Sequence, residues 1–211
     1  MTSLIIPSIL VPDPVRFLER FKTIRRYAKV AQIDVLDGKF LPFKSFADPV
    51  FINGLRPGLK FEIHLMVSNP AAELSRWNYP WVKKIIFHIE AGKVTSAVIK
   101  KVRALRKKVG LAINPNTHVA KIKPFLRQID AVLVMTVHPG RNAAPFVSSA
   151  VEKIKQLRLE NRNLEIEVDG GIKPKTAKLC ALAGANSLVV GSYLKNRIFK
   201  KRLDLLKKSL K

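Results

Sequence analysis

Short apolar runs alternate with longer amphipathic stretches along the whole chain. The runs are rich in β-branched or aromatic residues and are bounded by Gly, Pro, Asn or Asp, as buried strands usually are. The pattern predicts eight strands, over residues 4–10, 30–36, 60–67, 83–89, 110–114, 131–137, 164–169 and 187–191. Strands that alternate with helix-length segments indicate an α/β protein.

The stretches between these runs carry helical signals. Asp13 can cap a helix that has Pro14 at its first position. Phe17, Phe21 and Ile24 then recur at helical spacing and supply one apolar face. The other predicted helices cover residues 69–77, 94–107, 119–128 (which Pro124 interrupts), 146–159, 173–184 and the segment from Leu194.

Eight strand–helix units with right-handed crossovers predict a closed (β/α)₈ TIM barrel, with residues 1–211 as a single domain. A doubly wound open sheet is the alternative, but its usual six strands and its G-x-G-x-x-G signature are missing from the sequence. No apolar run approaches the roughly 20 residues that span a bilayer. The first ten residues show neither a positively charged start nor a cleavage-like site, so we expect no secretory signal and a cytoplasmic protein.

The charge balance is strongly basic, with 39 Lys and Arg against 15 Asp and Glu and a net charge of +24. Most basic residues fall on the polar faces of predicted helices, which favours a solvated basic exterior. Attraction of anionic substrates and contact with RNA or anionic surfaces are compatible interpretations. No basic motif interleaved with aromatic residues indicates specific reading of nucleic acid, so we expect non-specific contact only.

A barrel places its chemistry at the carboxyl-terminal ends of the strands. Polar side chains collect at those predicted ends: Ser8, Gln32, Asp34, Asp37, His64, His88, Asn114, His138, Asp169 and Ser192. A polar side chain buried without a partner is costly, so several around one mouth indicate a site. Asp169 is followed by two glycines, and Gly191 and Ser192 follow the last strand. Both strand ends can offer backbone N–H groups to a phosphate.

Six motifs carry a family resemblance: PSIL (7–10), IDVLDGKF (33–40), HLMVSNP (64–70), MTVHPG (135–140), EVDGGI (167–172) and VVGS (189–192). In this order and spacing, over nearly the whole chain, they resemble the ribulose-phosphate 3-epimerase family. The resemblance implies an isomerase that inverts C3 of a pentulose 5-phosphate, interconverting ribulose and xylulose 5-phosphates in the pentose phosphate pathway. We also expect a homo-oligomer.

The resemblance implies roles for individual residues. Asp34 and Asp169 match the acid/base pair on opposite faces of the sugar, and with His64 they match ligands of a divalent metal. The sequence does not distinguish Zn, Fe, Mn or Co. Met66 and Met135 match methionines that line the reaction centre. The residues implied to bind substrate are Ser8, His64, Gly140, Arg141, Asn142, Ala143, Gly170, Gly171, Gly191 and Ser192. Two proton-transfer groups beside a cation suit inversion next to a carbonyl on chemical grounds alone.

The chain departs from the family pattern in three places. Gln32 stands where the family has a metal-binding histidine, and its carbonyl oxygen is a weaker ligand for zinc-like metals. His88 could replace that ligand if its ring reaches inward. Leu36 replaces a methionine. The loop from Gly140 to Ala144 replaces Gly-Phe-Gly-Gly-Gln, although Arg141 could supply a charge-assisted phosphate contact.

These departures leave two rival functions open. One is an epimerase of the same kind that acts on a different ketose phosphate, which the altered loop favours. The other is an inactive barrel that binds phosphate or RNA, which Gln32 and the basic charge favour.

Overall fold

A computed structural model describes residues 3–92, 95–138 and 144–211. Eight parallel strands pair in chain order and close into one barrel. The strands are β1 (Leu4–Ile9), β2 (Val30–Leu36), β3 (Lys60–Met66), β4 (Val82–His88), β5 (Lys108–Ile113), β6 (Ala131–Met135), β7 (Glu165–Asp169) and β8 (Ser187–Val190). The predicted (β/α)₈ barrel is confirmed.

Seven α-helices within the described ranges surround the barrel. They are α1 (Pro14–Ile24), α2 (Pro49–Gly54), α3 (Pro70–Glu73), α4 (Thr95–Ala104), α5 (Ala150–Glu160), α6 (Pro174–Ala183) and α7 (Phe199–Ser209). None of the helices in these ranges has the length and apolar character that crossing a membrane requires.

Two predictions for the helices were wrong. The helix expected over residues 119–128 is instead a pair of 3₁₀ turns, Val119–Lys121 and Lys123–Phe125. Pro124 has no N–H to donate and its ring obstructs the preceding turn, so an α-helix cannot pass through it. The sequence reading also missed α2, which begins after Asp48, whose carboxylate accepts hydrogen bonds from the backbone N–H groups of Val50 and Phe51.

The predicted start of α1 is confirmed. The Asp13 carboxylate accepts a hydrogen bond from the backbone N–H of Arg16 at 2.8 Å, and Pro14 occupies the first helical position. Phe17, Phe21 and Ile24 are buried on the face that covers the barrel. A cap of this kind contributes about 1 kcal/mol to helix stability.

An apolar layer crosses the barrel interior, formed by Ile6, Ile86, Ala112, Leu133, Met135 and Val189. Gly110 makes room for it, because a Cβ atom at Gly110 would lie 2.6 Å from Cγ1 of Ile86. Side chains two apart on a strand point to the same face, so Lys84, Ile86 and His88 follow one another along the interior. The layer therefore separates a polar region near the amino ends of the strands from another at their carboxyl ends.

The polar region near the amino ends is here called the floor cluster, and it consists of Glu62, Lys84, Glu165 and Glu167. The Nζ atom of Lys84 lies 3.1 Å from Oε1 of Glu62, 2.9 Å from Oε1 of Glu165 and in contact with Glu167. The ammonium is buried and neutralises part of the carboxylate charge.

Candidate active site

Four polar side chains meet at the carboxyl ends of β2, β3 and β7: Gln32, Asp34, His64 and Asp169, here called the mouth cluster. Parallel pairing places Asp34 beside His64, and Asp169 is the last residue of its strand. One oxygen from each aspartate and one ring nitrogen of His64 all lie within 4.8 Å of one another. The barrel thus brings together residues that are 135 positions apart in the chain.

The side-chain amide of Gln32 lies at the centre of this cluster. Its Nε2 atom donates to Oδ1 of Asp34 at 2.7 Å and to Oδ2 of Asp169 at 2.8 Å. The same atom lies 3.4 Å from Nδ1 of His64. One neutral NH₂ group therefore joins the two carboxylates.

Both carboxyl groups are perturbed by their surroundings. Burial raises the pKa of Asp34 to about 7, although hydrogen bonds with Gln32 and Ser8 act in the opposite direction. Burial and the neighbouring charge of Asp34 raise the pKa of Asp169 to about 7, against the influence of His64 and Gln32. Two close carboxyl groups titrate as a pair. Without a cation, the pair therefore holds a proton near neutral pH.

A chain of hydrogen bonds leads away from His64. Its Nε2 atom lies 2.9 Å from Nε2 of His88, and Nδ1 of His88 lies 3.1 Å from Oε2 of Glu90. Oε1 of Glu90 accepts from the backbone N–H of Asn114 at 2.9 Å and from the hydroxyl of Thr117. The carboxylate of Glu90 thus anchors two imidazole rings in sequence.

Burial alone would disfavour a charged Glu90, but hydrogen bonds from His88, Thr117 and Asn114 outweigh it and lower its pKa to about 2. Burial lowers the pKa of both His64 and His88 to about 4, so both rings are neutral at pH 7. The ionised Glu90 can only accept, so Nδ1 of His88 carries its proton and Nε2 of His88 is bare.

The protonation of His64 follows from that arrangement. Because Nε2 of His88 is bare, Nε2 of His64 must be the donor between the two rings, and Nδ1 of His64 is left with a lone pair. That lone pair faces Oδ1 of Asp34 at 3.2 Å and Oδ2 of Asp169 at 3.7 Å. Three electron-rich atoms converge on one point, and imidazole and carboxylate are suitable ligands for a divalent cation there.

The sequence left open whether the ring of His88 reaches inward and replaces the ligand missing at Gln32; the ring does lie on the interior of β4. This ring contacts His64 and Glu90, whereas the group at the barrel mouth that could hold a metal ion consists of Asp34, His64 and Asp169. His88 therefore orients the candidate ligand His64 through the hydrogen bond between their Nε2 atoms. Glu90 was missed, although a glutamate two residues after an inward-facing strand histidine was visible in HIEA (88–91).

The residues expected to cradle phosphate lie at the ends of β7 and β8. Gly170 and Gly171 have φ angles of 113° and 63°, in the left-handed region, and a Cβ atom at Gly170 would overlap Val137. A Cβ atom at Gly191 would lie 2.9 Å from Oγ of Ser8. Ser192 is exposed beside it. The remaining residues expected to bind phosphate, Gly140, Arg141, Asn142 and Ala143, lie outside the described residues.

Arg20 of α1 fixes the loop that follows β8. Its guanidinium donates to the backbone carbonyl groups of Ser8 at 3.1 Å, Gly191 at 3.3 Å and Leu194. Burial lowers the pKa of Arg20 to about 10, so it remains charged at neutral pH. A partly buried cation therefore holds the end of the last strand against the first strand.

The other residues singled out in the sequence have simpler surroundings. Asp37, one of the polar residues at the predicted strand ends, accepts hydrogen bonds from the N–H groups of Lys39, Phe40 and Ser68 and so stabilises the turn into Gly38. Leu36, Met66 and Met135 are buried, and His138 is exposed.

Comparison with known proteins identifies the family. The sequence model of the Ribulose-phosphate 3 epimerase family matches residues 4–195. The chain belongs to this family. A ribulose-phosphate 3-epimerase of Rhodobacter capsulatus is 35% identical over 193 residues, which cover 89% of this chain and 84% of that protein. One of Bacillus subtilis is 33% identical over 194 residues, covering 88% and 89%.

A third relative is the ribulose-phosphate 3-epimerase of Oryza sativa subsp. japonica named as a cytoplasmic isoform. It is 34% identical over 197 residues, which cover 90% of this chain and 86% of the relative. The family and its members place the chain among the carbohydrate epimerases, a class of isomerases. The resemblance expected from the six motifs is confirmed.

Solved structures agree on the fold. The 3-keto-L-gulonate-6-phosphate decarboxylase of Vibrio cholerae superposes with a TM-score of 0.75 at 14% identity, covering 100% of this chain and 98% of that one. The tryptophan synthase complex of Pyrococcus furiosus gives a TM-score of 0.65 at 19% identity, with the same coverage. At these identities the similarity shows the barrel alone.

Proposed function

We propose that this protein inverts C3 of a pentulose 5-phosphate, interconverting ribulose 5-phosphate and xylulose 5-phosphate. Family membership supports the reaction class, and the observation that carries the assignment is the pair of Asp34 and Asp169 joined by one amide group. A proton on a carbon next to a carbonyl can be removed by one carboxylate and replaced from the opposite face by the other carboxylic acid.

The pKa values support this division of labour. In the absence of a cation burial raises both pKa values to about 7, so one member of the pair can accept a proton while the other donates one near neutral pH. A general base and acid are most effective when their pKa lies close to the working pH. Reversal of the reaction only exchanges the two roles.

A divalent cation would be held by Asp34, His64 and Asp169, whose donor atoms converge. The lone pair on Nδ1 of His64, fixed by His88 and Glu90, fits such an ion. When bound, it would supply positive charge for the oxygen that becomes negative in the enediolate. The protein's own groups orient the sugar, exclude water and move the C3 proton.

The phosphate group is assigned to the glycines after β7 and β8 together with Ser192 and residues 140–143. Gly170 and Gly171 have positive φ angles, a backbone conformation that suits turns whose N–H groups bind phosphate. The net charge of +24 attracts such an anion over a distance. Ser8 lies at the mouth between the phosphate region and Asp34, where it can contact the substrate.

The test is epimerisation of ribulose 5-phosphate by the wild type, Asp34→Asn and Asp169→Asn. Each substitution keeps the shape but removes a proton acceptor, so kcat should fall roughly 10²–10⁴-fold. The exposed Asp204, which pairs with Lys200 on α7, provides the control Asp204→Asn, whose kcat should equal that of the wild type. Full activity in correctly folded Asp169→Asn would refute the mechanism.

Substrate choice is tested with the same proteins. Ribulose 5-phosphate should be converted with a higher kcat/KM than a hexulose 6-phosphate, and the reverse order would favour the rival epimerase. Tight, salt-sensitive RNA binding without turnover would instead favour the inactive barrel.

A further inference from the structure

Gln32 occupies the point on which the three candidate ligands converge. Its Nε2 atom lies 2.7 Å from Oδ1 of Asp34, 2.8 Å from Oδ2 of Asp169 and 3.4 Å from Nδ1 of His64. A cation bound by these three residues would have to lie close to this point. The amide NH₂ group and a metal ion therefore compete for one location.

The other end of the same amide is unsatisfied. Gln32 is fully buried, and its Oε1 atom has no hydrogen-bond partner among the described residues. Burying an acceptor without a hydrogen bond is unfavourable, because the atom loses its contact with water. The NH₂ group of the side chain therefore bridges two carboxylates, and its carbonyl oxygen is free to accept a hydrogen bond or bind a cation.

The charge of the neighbours decides which end faces them. In the absence of a cation the NH₂ end is favoured, because it donates to both carboxyl groups at once, whereas Oε1 could accept only the single proton that the pair holds. With a cation present the preference reverses, because the ion repels the amide hydrogens and attracts the carbonyl oxygen.

Building on the proposed function, we propose that Gln32 is a cation-dependent ligand that sets the metal choice of this protein. In the metal-free protein its NH₂ group takes the place of the ion and holds the two carboxylates together. On metal binding the amide turns and offers Oε1 as a fourth ligand. The resulting ligand set has three oxygens and one nitrogen.

Two consequences for metal binding follow. An incoming ion must displace both hydrogen bonds of the amide to the carboxylates, which lowers the affinity for every cation. An oxygen-rich set also favours harder ions such as Mn²⁺, whereas imidazole favours Zn²⁺. The ratio of Zn²⁺ to Mn²⁺ affinity should therefore be lower here than with histidine at this position.

The experiment measures metal binding directly, without turnover. Metal-free wild type, Gln32→His and Gln32→Leu are titrated with Zn²⁺ and with Mn²⁺ against a chromophoric chelator, and their folding is checked by circular dichroism. Gln32→His should bind Zn²⁺ about 10–100-fold more tightly than the wild type and Mn²⁺ within about threefold. Gln32→Leu should bind Mn²⁺ about tenfold more weakly.

The control is Gln128→His, which adds an imidazole at an exposed position away from the mouth. Its affinities for both ions should match those of the wild type. Gln32→Leu loses the competing amide as well as the carbonyl ligand, so Mn²⁺ binding by Gln32→Leu as tight as or tighter than that of the wild type would refute a net contribution of Gln32 as a ligand. An unchanged ratio of Zn²⁺ to Mn²⁺ affinity in Gln32→His would refute the effect on metal choice.

A spectroscopic measurement follows the amide itself. The ¹⁵N-labelled NH₂ signal of Gln32, assigned by its loss in Gln32→Leu, should shift when Mg²⁺ or Zn²⁺ saturates the protein. A signal that stays unchanged at saturation would exclude the turn of the amide. Because these measurements need no substrate, they remain decisive even if Asp169→Asn retained full epimerase activity and the proposed function failed.

Discussion

The mouth cluster and the floor cluster are two groups of acidic residues inside one barrel, and they differ in what neutralises them. In the floor cluster the ammonium of Lys84 contacts Glu62, Glu165 and Glu167. In the mouth cluster the corresponding central group is the neutral amide of Gln32. The ammonium supplies a permanent positive charge to its carboxylates. The amide is neutral, so the two aspartates of the mouth cluster have no fixed positive charge beside them.

The pKa values show the difference in part. At the floor, Lys84 outweighs burial and lowers the pKa of Glu165, whereas the pKa of the more deeply buried Glu167 stays raised. At the mouth the pKa of both aspartates is raised. Perturbed groups without a fixed counter-ion are suited to exchanging protons or binding a cation. The comparison indicates that the floor cluster stabilises the fold, whereas the mouth cluster is suited to chemistry.

Removing the charge of the floor should have the largest effect on stability. Lys84→Met leaves the buried Glu167 and the partly buried Glu165 without their cation, while Glu62 keeps only Lys83, so the free energy of unfolding should fall by about 3–5 kcal/mol. Urea unfolding measures this change, and kcat of the folded fraction should stay within about threefold of the wild type.

The neighbouring Lys83 provides the control. It contacts Glu62 at 2.9 Å but is partly exposed, so Lys83→Met should cost less than about 1 kcal/mol. Equal costs for the two substitutions would remove the distinction between a buried and a peripheral ion pair. A large loss of kcat in folded Lys84→Met would show that the floor takes part in the chemistry.

The floor should also give stability a pH dependence. Burial raises the pKa of Glu167 to about 8, aided by Glu62 and Glu165 and opposed by Lys84. Between about pH 4.5 and 8 the folded protein therefore holds a proton that the unfolded chain releases. This contribution to stability is full below about pH 4.5 and is lost as the pH rises to about 8.

Glu167→Gln cannot ionise, so it should not lose this contribution as the pH rises. The free energy of unfolding of the variant minus that of the wild type should therefore increase by about 1–3 kcal/mol between pH 5 and pH 8. Urea unfolding at the two pH values measures the difference. In the comparison variant Glu165→Gln the difference should rise by less, because losing the charge of Glu165 lowers the pKa of Glu167 without abolishing its ionisation. A constant difference for Glu167→Gln would contradict the prediction.

The smallest expected effect concerns the hydrogen bonds that connect His64 to Glu90 through His88. Glu90→Gln removes the ionised acceptor that fixes the proton on Nδ1 of His88, so Nδ1 of His64 is no longer kept bare. The affinity for Mn²⁺ should fall about tenfold, and ¹⁵N spectra should show a changed tautomer of His64. The exposed Glu152→Gln on α5 is the control and should behave as the wild type. Unchanged affinity and tautomer would show that Glu90 only packs.

Part of the fold followed from the sequence because its signals are local. The strand predicted over residues 30–36 is β2 (Val30–Leu36), since a buried parallel strand is a continuous apolar run bounded by turn residues. Asp13 and Pro14 marked the start of α1 for the same reason. The helix predicted over residues 119–128 is absent because Pro124 breaks the segment, although its apolar residues recur at helical spacing.

The sequence by itself determined the barrel, the family and the placement of Asp34, His64 and Asp169 at strand ends, because strand periodicity and motif order are written along the chain. The tertiary structure alone decided that Gln32 bridges both aspartates, that Glu90 acts on His64 through His88, and that Lys84 neutralises the floor. These contacts join separate strands. Their strength depends on burial and distance, which arise only when the barrel closes.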